Sequence, residues 1–571
     1  MQQCFRAGQC ENYESEGKLN IRQKTTMQRE RDDPQKREIE RKVRNNDPAV
    51  KLTVLCGRSL ILEKFKRVEF DGANTGYAAC KSCLVLVKYN TESEGQGFIN
   101  VAQELLDIGS KYGGSILAED VLPCARTVSR HVEGEYDKVK SDVVEELKQC
   151  RDYALTTDLW TEERTDTHYI TITVHYILNW KIVNRILATR EMVGVKSHDH
   201  IRGAVEEILQ EFGIQSKDNV FVTDNGSNVV AAFKDYRRLS CAGHNINLIL
   251  KHVFDHLDED NPMHSIIINL LKESKTLVTH FKRAGLQKEL ELSLKQAVET
   301  RWNTRLAMLQ SVNDALKSGK LHDILLRRRE LRFLKNIDSE LLEDIIQVLI
   351  PFDEATRHLS TDKAPTLHLV LPTKATLLRG LLIQDGDSVI VKELKGKLAQ
   401  AVELKFKIHL YHKVATALSP SLRSFLRKTL NAQEYEEVID TLTALTETTG
   451  AEERGRVREE KEGTTEVHDF YAGCVEEEER EEDSGEMQSW GRQLVLQYMS
   501  DPKMTRSQSL LDVWQEKSGG LVPVAKKLLA IPATSTPSER SFSVAGRLIE
   551  ERRTSLNPEN VDALLFLHSN I

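Results

Sequence analysis

An alternation of strand and helix patterns between residues 153 and 230 restricts the fold of this chain more than any other feature of its sequence. Residues 169–178, YITITVHYIL, alternate apolar side chains with Thr and His, which is the period-2 pattern of a half-buried strand. The run ALTTDLW precedes this segment, and KIVNRILATREMVG follows it after a short turn at Asn179–Trp180. We therefore predict three consecutive strands, the last two of which form a hairpin.

A helix and a fourth strand follow in the same region. Apolar residues recur at helical spacing from His198 to Phe212, and Gly213 closes that helix. The run NVFVTD predicts a buried strand that ends at Asp224, after which Asn225–Gly226 turns the chain and Ser227 can cap a helix. The order of three strands, a helix, a strand and a helix predicts an α/β fold with a ribonuclease-H-like core, whose first part spans residues 148–256.

Composition divides the rest of the chain. Residues 257–446 have helical periodicity and predict a large all-α insertion, whereas residues 447–489 are acid-rich and predict a disordered linker. Residues 1–60 are polar and charge-dense, and we expect a disordered tail there. Within it, residues 29–44 mix both charges. They are either a solvated tail or exposed helix, or a patch for nuclear import or DNA backbone.

Bulk properties exclude several classes of protein. The chain has 571 residues, net charge −8 and nine cysteines that are spread thinly, so it resembles neither a disulfide-stabilised secreted domain nor a globally basic protein. No apolar run approaches the roughly 18 residues that span a bilayer, and the N-terminus lacks the apolar centre of a signal peptide. We expect a cytosolic or nuclear protein with no membrane partner, in which local patches would contact any nucleic acid.

Two aspartates lie at the ends of predicted strands. Asp158 ends the first strand and Asp224 ends the fourth, and strand ends are where ligands gather in α/β sheets. Paired carboxylates can hold Mg²⁺ or Mn²⁺ for phosphodiester cleavage, provided that a third acid completes the site. On residue type alone, two ordinary turn aspartates are the simpler interpretation.

Five spaced motifs change that interpretation. They are TTDLWT (156–161), VTDNGSNVV (222–230), CAGHNINL (241–248), ETRWNT (299–304) and PSERSFSVAG (537–546). Together they resemble the hAT superfamily of transposases and the domesticated BED-finger proteins derived from them, over roughly residues 150–571. The resemblance implies a catalytic triad of Asp158, Asp224 and Glu539 that binds Mg²⁺ or Mn²⁺.

The same resemblance implies further roles. Arg301 and Trp302 would contact DNA, with the indole stacked on an extruded base, although on residue type alone Trp302 is an ordinary core aromatic. Residues 490–571 would complete the core and form the hAT dimerisation region. The final helix, which Asn557 and Pro558 begin, has an apolar face that packs within the chain, across a two-fold axis, or both.

A cysteine pair upstream resembles part of a zinc finger. Cys80 and Cys83 lie in residues 61–95, which resemble the first half of a BED finger. A structural zinc needs four ligands, and no histidine pair follows at the expected spacing, so the zinc site is incomplete unless residues such as Cys56 or Cys124 complete it. Residues 96–147 are helical in pattern and could bind DNA. For Cys241 and His244 we expect a structural or active-site-adjacent place and not a metal site.

Three functions fit these features. The first is a transposase-derived nuclear DNA-binding protein that acts as a homodimer in transcription or chromatin regulation. The second is an active hAT transposase, since all three acids of the motif are present, and the third is a protein-interaction scaffold without DNA binding. We expect DNA and a second copy of the chain as partners, and no small-molecule substrate. The fold alone does not choose among the three.

Overall fold

The structure is a computed structural model in two compact units. It describes residues 42–43, 50–54, 65–70, 73–80, 86–88, 125–150, 152–162, 166–194, 196–215, 219–298, 302–462, 489–501, 509–540, 542 and 557–571. The units are Met1–Thr127 and Val128–Ile571, and each is described by itself.

The first unit contains a four-stranded antiparallel sheet. Its strands, in chain order and in sheet order, are β1 (Val50–Val54), β2 (Phe65–Phe70), β3 (Ala73–Cys80) and β4 (Leu86–Lys88). The prediction of a disordered tail over residues 1–60 is wrong for β1, because VKLTV alternates apolar and polar residues and pairs with β2 from Val50–Phe70 onward. Cys80 ends β3, whereas Cys83 lies outside the described residues, so the zinc assignment stays a prediction.

The second unit is built on a five-stranded sheet in the order β7-β6-β5-β8-β9. Its strands are β5 (Ala154–Glu162), β6 (Thr167–Leu178), β7 (Lys181–Met192), β8 (Val220–Thr223) and β9 (Arg237–Ser240). Strands β6 and β7 form the predicted hairpin, β5 pairs antiparallel with β6, and β8 and β9 run parallel to β5. Strand β9 has no recognisable sequence pattern, because its residues RRLS contain a single buried apolar side chain, Leu239.

Helices cover both faces of this sheet. The first face packs against helices α1 (Ala125–Gln149), α2 (His198–Glu211), α3 (Ser227–Ala232) and α17 (Pro558–Asn570). Val143 and Leu147 of α1 are buried in this core, so this part of α1 packs with the five-stranded sheet. This corrects the assignment of residues 96–147 to a separate helical segment; residues 96–124 lie outside the described residues.

A large helical region lies between the last strand, β9, and the C-terminal helices. Its helices are α4 (Ala242–Asp255), α5 (Pro262–Arg283), α6 (Trp302–Lys317), α7 (Lys320–Arg328), α8 (Ser339–Leu359), α9 (Val370–Gly380), α10 (Val389–Lys405), α11 (Leu410–Ala417), α12 (Arg423–Thr429) and α13 (Ala432–Glu462). Short 3₁₀ turns at Leu286–Glu289, Leu331–Phe333 and Leu367–Leu369 interrupt the series. Because α13 continues to Glu462, the predicted linker 447–489 begins too early: this part of it is helix.

The C-terminal region returns to the sheet. Helices α14 (Trp490–Ser500), α15 (Leu510–Gln515) and α16 (Leu521–Leu529) pack with α11 and α13 against the second face, where Ala154 and Val222 are buried. Residues 536–540 are also helical. No helix among the described ranges has the length and apolar character needed to cross a membrane.

Candidate active site

The two predicted aspartates lie at neighbouring strands of the sheet. Strands β5 and β8 run parallel, and their last aligned pair is Thr156 with Val222. Asp158 and Asp224 each lie two residues beyond that pair, so the register brings the two residues next to each other, with Asp158 in the middle of β5 and Asp224 directly after β8. Both side chains are half-buried. The prediction that Asp158 ends its strand is wrong, because β5 continues to Glu162, whereas Asp224 follows the end of β8 as expected.

A buried serine fixes the position of the third acid, Glu539, near these aspartates. Ser538 is fully buried, and its Oγ lies 2.8 Å from Thr156 Oγ1 and 3.0 Å from Thr173 Oγ1. Glu539 is the next residue and is exposed. The hydroxyl contacts therefore hold the helical turn that carries Glu539 against the strand that carries Asp158.

The three carboxylates interact electrostatically. Burial raises the pKa of the Asp158 carboxyl well above its usual range, and the negative charges of Glu539 and Asp224 raise it further. The hydrogen bond that Leu159 N donates to Asp158 Oδ1, at 3.0 Å, opposes this shift by favouring the charged form. The native state thus brings like charges close to Asp158, which opposes its ionisation.

The donor atoms of this cluster suit a hard divalent cation, because Mg²⁺ and Mn²⁺ prefer carboxylate oxygens. Their arrangement does not close around one: no group of three or more His, Cys, Asp or Glu side chains in the described ranges is arranged to hold a metal ion. The residues therefore match such a cation in their donor chemistry, whereas the described side chains do not form a closed site, and cation binding stays a prediction.

Polar side chains that the sequence analysis missed fix the turn after Asp224. Arg238 donates from Nε to Thr223 Oγ1 at 2.7 Å and from Nη2 to Asn225 Oδ1 at 2.8 Å and to the Asp224 carbonyl. Asn225 in turn donates to Asn245 Oδ1 at 2.7 Å. The turn that presents Asp224 is thus held by residues from β9 and α4.

A buried histidine continues the hydroxyl contacts away from the site. His175 Nε2 lies 2.9 Å from Thr156 Oγ1, and Nδ1 lies 2.6 Å from Asn184 Oδ1. Because Asn184 uses its amide nitrogen to donate to the Asp362 carbonyl at 2.9 Å, its oxygen accepts from His175 Nδ1–H. Nε2 then accepts from Thr156. Burial lowers the pKa of His175 to about 4, so the ring is neutral at physiological pH.

The loop after α8 also contacts the segment that carries Glu539. Asp362 accepts a hydrogen bond from Arg540 through its carboxylate, and Arg540 Nη2 donates to the Ser360 carbonyl at 2.9 Å. The carbonyl of the same Asp362 binds Asn184 of β7. One residue of the helical region therefore contacts both the sheet and the Glu539 segment.

Stacked aromatic rings also contact the segment that carries Glu539. Trp160 stacks on Tyr169 with ring centroids 5.5 Å apart and on Phe542 at 5.7 Å. Phe542 lies three residues beyond Glu539 and is buried. The tryptophan of the TTDLWT motif thus packs against the region of the PSERSFSVAG motif.

Cys241 has a structural place next to this site, in agreement with its predicted role. Its Sγ accepts hydrogen bonds from His244 N at 3.4 Å and Ser535 N at 3.3 Å. Burial, and then the charge of Glu539, raise the pKa of the thiol to about 11, so it stays protonated. A Cβ at Gly243 would lie 3.3 Å from Thr534 Cγ2, so the glycine permits the close approach of α4 to this segment.

The other predicted site residues lie elsewhere or outside the described ranges. Trp302 begins α6 and is half-buried against the core of the helical region, as the simpler interpretation of that residue expects. Arg301 is not among the described residues, and neither is Cys83. A DNA-contacting role for Arg301 and Trp302 therefore stays a prediction.

Comparisons with known protein families match two parts of the chain. Residues 495–571 match the hAT family C-terminal dimerisation region, and residues 156–252 match the ZBED1 RNase-like domain. These two segments contain Glu539 and the Asp158–Asp224 pair, respectively.

Similar curated proteins include transposases and zinc finger proteins. The Hobo transposase of Drosophila melanogaster is 28% identical over 57% of this chain and 50% of its own length. Human zinc finger protein 618 is 26% identical over 84% of this chain and 49% of its own length. Human zinc finger BED domain-containing protein 6 is 26% identical over 51% of this chain and 31% of its own length. The chain thus spans about half the length of the first two relatives.

Proposed function

Because the chain is a hAT-transposase-derived protein, we propose that it is a nuclear DNA-binding protein that acts as a homodimer in transcription or chromatin regulation. The match of residues 495–571 to a dimerisation region supports self-association. We further assign the five-stranded sheet to a ribonuclease-H-like core, since three antiparallel strands are followed by two strands parallel to the first.

One observation carries the nucleic-acid part of this proposal, namely the electrostatic coupling of Asp158 to Glu539 and Asp224. The negative charges of Glu539 and Asp224 raise the pKa of the buried Asp158 carboxyl and so oppose folding, which means that their assembly at one site needs another explanation. Clustered carboxylates are a donor set for phosphodiester chemistry. Such a site points to nucleic acid as the partner.

A binding titration tests the proposal. Fluorescence anisotropy with a labelled DNA duplex is repeated at several salt concentrations, and light scattering measures the mass of the protein without DNA. We expect log affinity to fall linearly with log salt, by about 0.9 for every phosphate that the protein neutralises. We also expect twice the monomer mass of 65.0 kDa. Absence of DNA binding at moderate salt would instead favour the interaction scaffold.

Strand cleavage is the second candidate function, and the retained acids favour it. With Mg²⁺ or Mn²⁺ present, we expect any nicking of DNA to disappear in Asp224→Asn while the protein remains folded. The exposed Asp385 provides a matched control as Asp385→Asn. If Asp224→Asn nicks DNA as well as the unaltered protein does, the active-site assignment is wrong.

Cation binding has a readout that does not need cleavage. A cation that binds the native carboxylates raises the melting temperature by an amount that depends on its concentration and affinity. We expect Mn²⁺ to raise the melting temperature of the unaltered protein and of Asp385→Asn more than that of Asp224→Asn. An equal response in all three proteins would place the cation elsewhere.

A further inference from the structure

Two segments of the helical region carry exposed cations. Lys282 and Arg283 end α5, whereas Arg327 and Arg328 end α7 and Arg329 and Arg332 follow them. All six side chains are exposed. We call these six residues the α5–α7 basic surface. The chain as a whole has a net charge of −8, so this concentration of positive charge is local.

Contacts between the two segments place their cations on one surface. The His280 ring, in the last turn of α5, stacks on Phe333 with centroids 4.2 Å apart. His280 Nε2 also lies 3.0 Å from Glu330 Oε2. Arg329 directly precedes Glu330, and Arg332 directly precedes Phe333. The end of α5 therefore lies against the turn after α7 that carries these two arginines.

The acidic residues of these segments already have partners. Glu330 accepts from Arg328 Nε at 2.9 Å as well as contacting His280, and Glu289 accepts from Arg327 Nη2 at 3.1 Å. In the part of the chain that the structure describes, Lys282, Arg283 and Arg329 form no ion pair with a carboxylate. The surface therefore keeps an excess of positive charge after its internal pairs are made.

Helix stabilisation explains only part of this charge. Cations at the end of a helix interact favourably with its dipole, which accounts for Lys282, Arg283, Arg327 and Arg328. Arg332 lies outside both helices. Arg329 has a left-handed φ of 57°, where glycine or asparagine is the favoured residue after a helix. An exposed arginine at a position that favours glycine is costly to the local backbone and supplies a charge that folding does not need.

We propose that the α5–α7 basic surface binds the phosphate backbone of nucleic acid, independently of base sequence. This inference rests on the proposed DNA-binding function and assigns part of that binding to a surface in the helical region. Guanidinium groups suit the task because they bind phosphate oxygens through paired hydrogen bonds. The contacts would add affinity and position the duplex without reading its sequence.

A charge-removing variant of the full chain tests the proposal. The variant combines Lys282→Gln, Arg329→Gly and Arg332→Gln, of which Arg329→Gly also relieves the left-handed backbone. The control combines Lys138→Gln, Lys181→Gln and Lys428→Gln, which are exposed and lie on other elements. Anisotropy with a labelled duplex at several salt concentrations gives the affinity and the salt slope, and a melting curve verifies that each protein is folded.

We expect the variant to bind DNA about tenfold more weakly at moderate salt, and its salt slope to be shallower by about 1 for each phosphate that the protein no longer neutralises. The control should bind like the unaltered protein. If the variant binds DNA with the same affinity and the same salt dependence as the unaltered protein, this inference is wrong and the proposed function is unaffected. If the unaltered protein does not bind DNA at all, both fail together.

Discussion

Ser538 Oγ lies 2.8 Å from Thr156 Oγ1, although 382 residues separate the two in the chain. This contact joins the segment that carries Glu539 to the first strand of the five-stranded sheet, and both side chains are fully buried. Because Glu539 follows Ser538 and Asp158 lies two residues beyond Thr156, the same contact sets how near the two acids lie. The geometry of the site thus depends on a pair of hydroxyl groups that carry no charge.

Removal of this hydroxyl should weaken the fold. Ser538→Ala leaves Thr156 Oγ1 and Thr173 Oγ1 without one buried partner each, at a cost of about 1–3 kcal/mol in the free energy of unfolding. Urea denaturation measures the change. The matched control is Ser500→Ala, whose exposed hydroxyl only contacts carbonyls of its own helix. Equal stabilities of the two variants would show that the Ser538 contact contributes nothing.

Buried histidines should make the protein sensitive to acid. Burial lowers the pKa of His175 to about 4, of His368 to about 4 and of His412 to about 3. In the unfolded chain each histidine binds a proton near its usual pKa of about 6.5, so the unfolded state gains protons first as pH falls. The free energy of unfolding should therefore decrease between about pH 6.5 and pH 4, by about 2 kcal/mol for each residue at pH 5.

Denaturation at pH 7.5 and pH 5 measures this loss. In His175→Gln we expect a smaller difference between the two pH values than in the unaltered protein, because one linked proton is gone. The exposed His322 serves as the control in His322→Gln, which should keep the full difference. If His175→Gln keeps the full difference as well, His175 is not a neutral, buried group in the native protein.

Asp158 should oppose folding at neutral pH. Its pKa is raised well above the usual value, so the native state prefers the protonated carboxyl, and stability falls as pH rises through the raised pKa. Asp158→Asn removes the charge and keeps the shape. At neutral pH we expect it to raise the free energy of unfolding by about 1 kcal/mol or more. The exposed Asp385→Asn should have no such effect, and a loss of stability in Asp158→Asn would contradict the coupling of the three acids.

The sequence predicted the parts of the site that depend on local pattern. The apolar run of β8 predicted the strand that ends before Asp224, and the run ALTTDLW predicted the strand that carries Asp158, although that strand continues to Glu162. The comparisons confirmed the family resemblance that the five motifs indicated. Glu539 came from that resemblance alone, because the helical pattern of its segment does not indicate that the segment packs on the sheet.

The contacts that hold the site could not be predicted. Thr156, His175 and Asn184 have the residue types of ordinary strand positions. The roles of Thr156 and Asn184 depend on Ser538 and Asp362, which are far from them in the sequence. Arg238 was missed because β9 is a short, polar strand with one buried apolar residue. The acidic end of α13 has a disorder-like composition, yet the same residues continue a helix that begins on the core.

The final helix offers a test of whether its apolar face serves the chain itself. Phe566 is fully buried and contacts Tyr136 of α1 with ring centroids 4.8 Å apart. Thr189 N of β7 donates to Asp562 Oδ1 at 2.6 Å, and Asn570 Nδ2 donates to the Ile186 carbonyl at 2.8 Å. Helix α17 therefore satisfies backbone groups of the strand at the edge of the sheet, and its apolar face completes an intrachain core.

Phe566→Ala should accordingly lower the free energy of unfolding by about 3–5 kcal/mol, because it leaves a cavity in that core. The milder Phe566→Leu should remain folded, and its dimer dissociation constant, measured by sedimentation, should equal that of the unaltered protein. His568→Ala, which alters an exposed residue of the same helix, is the control for stability. Weaker dimers in Phe566→Leu at unchanged stability would mean that this face contacts a second copy, since a residue that packs only within its own chain affects the dimer through folding alone.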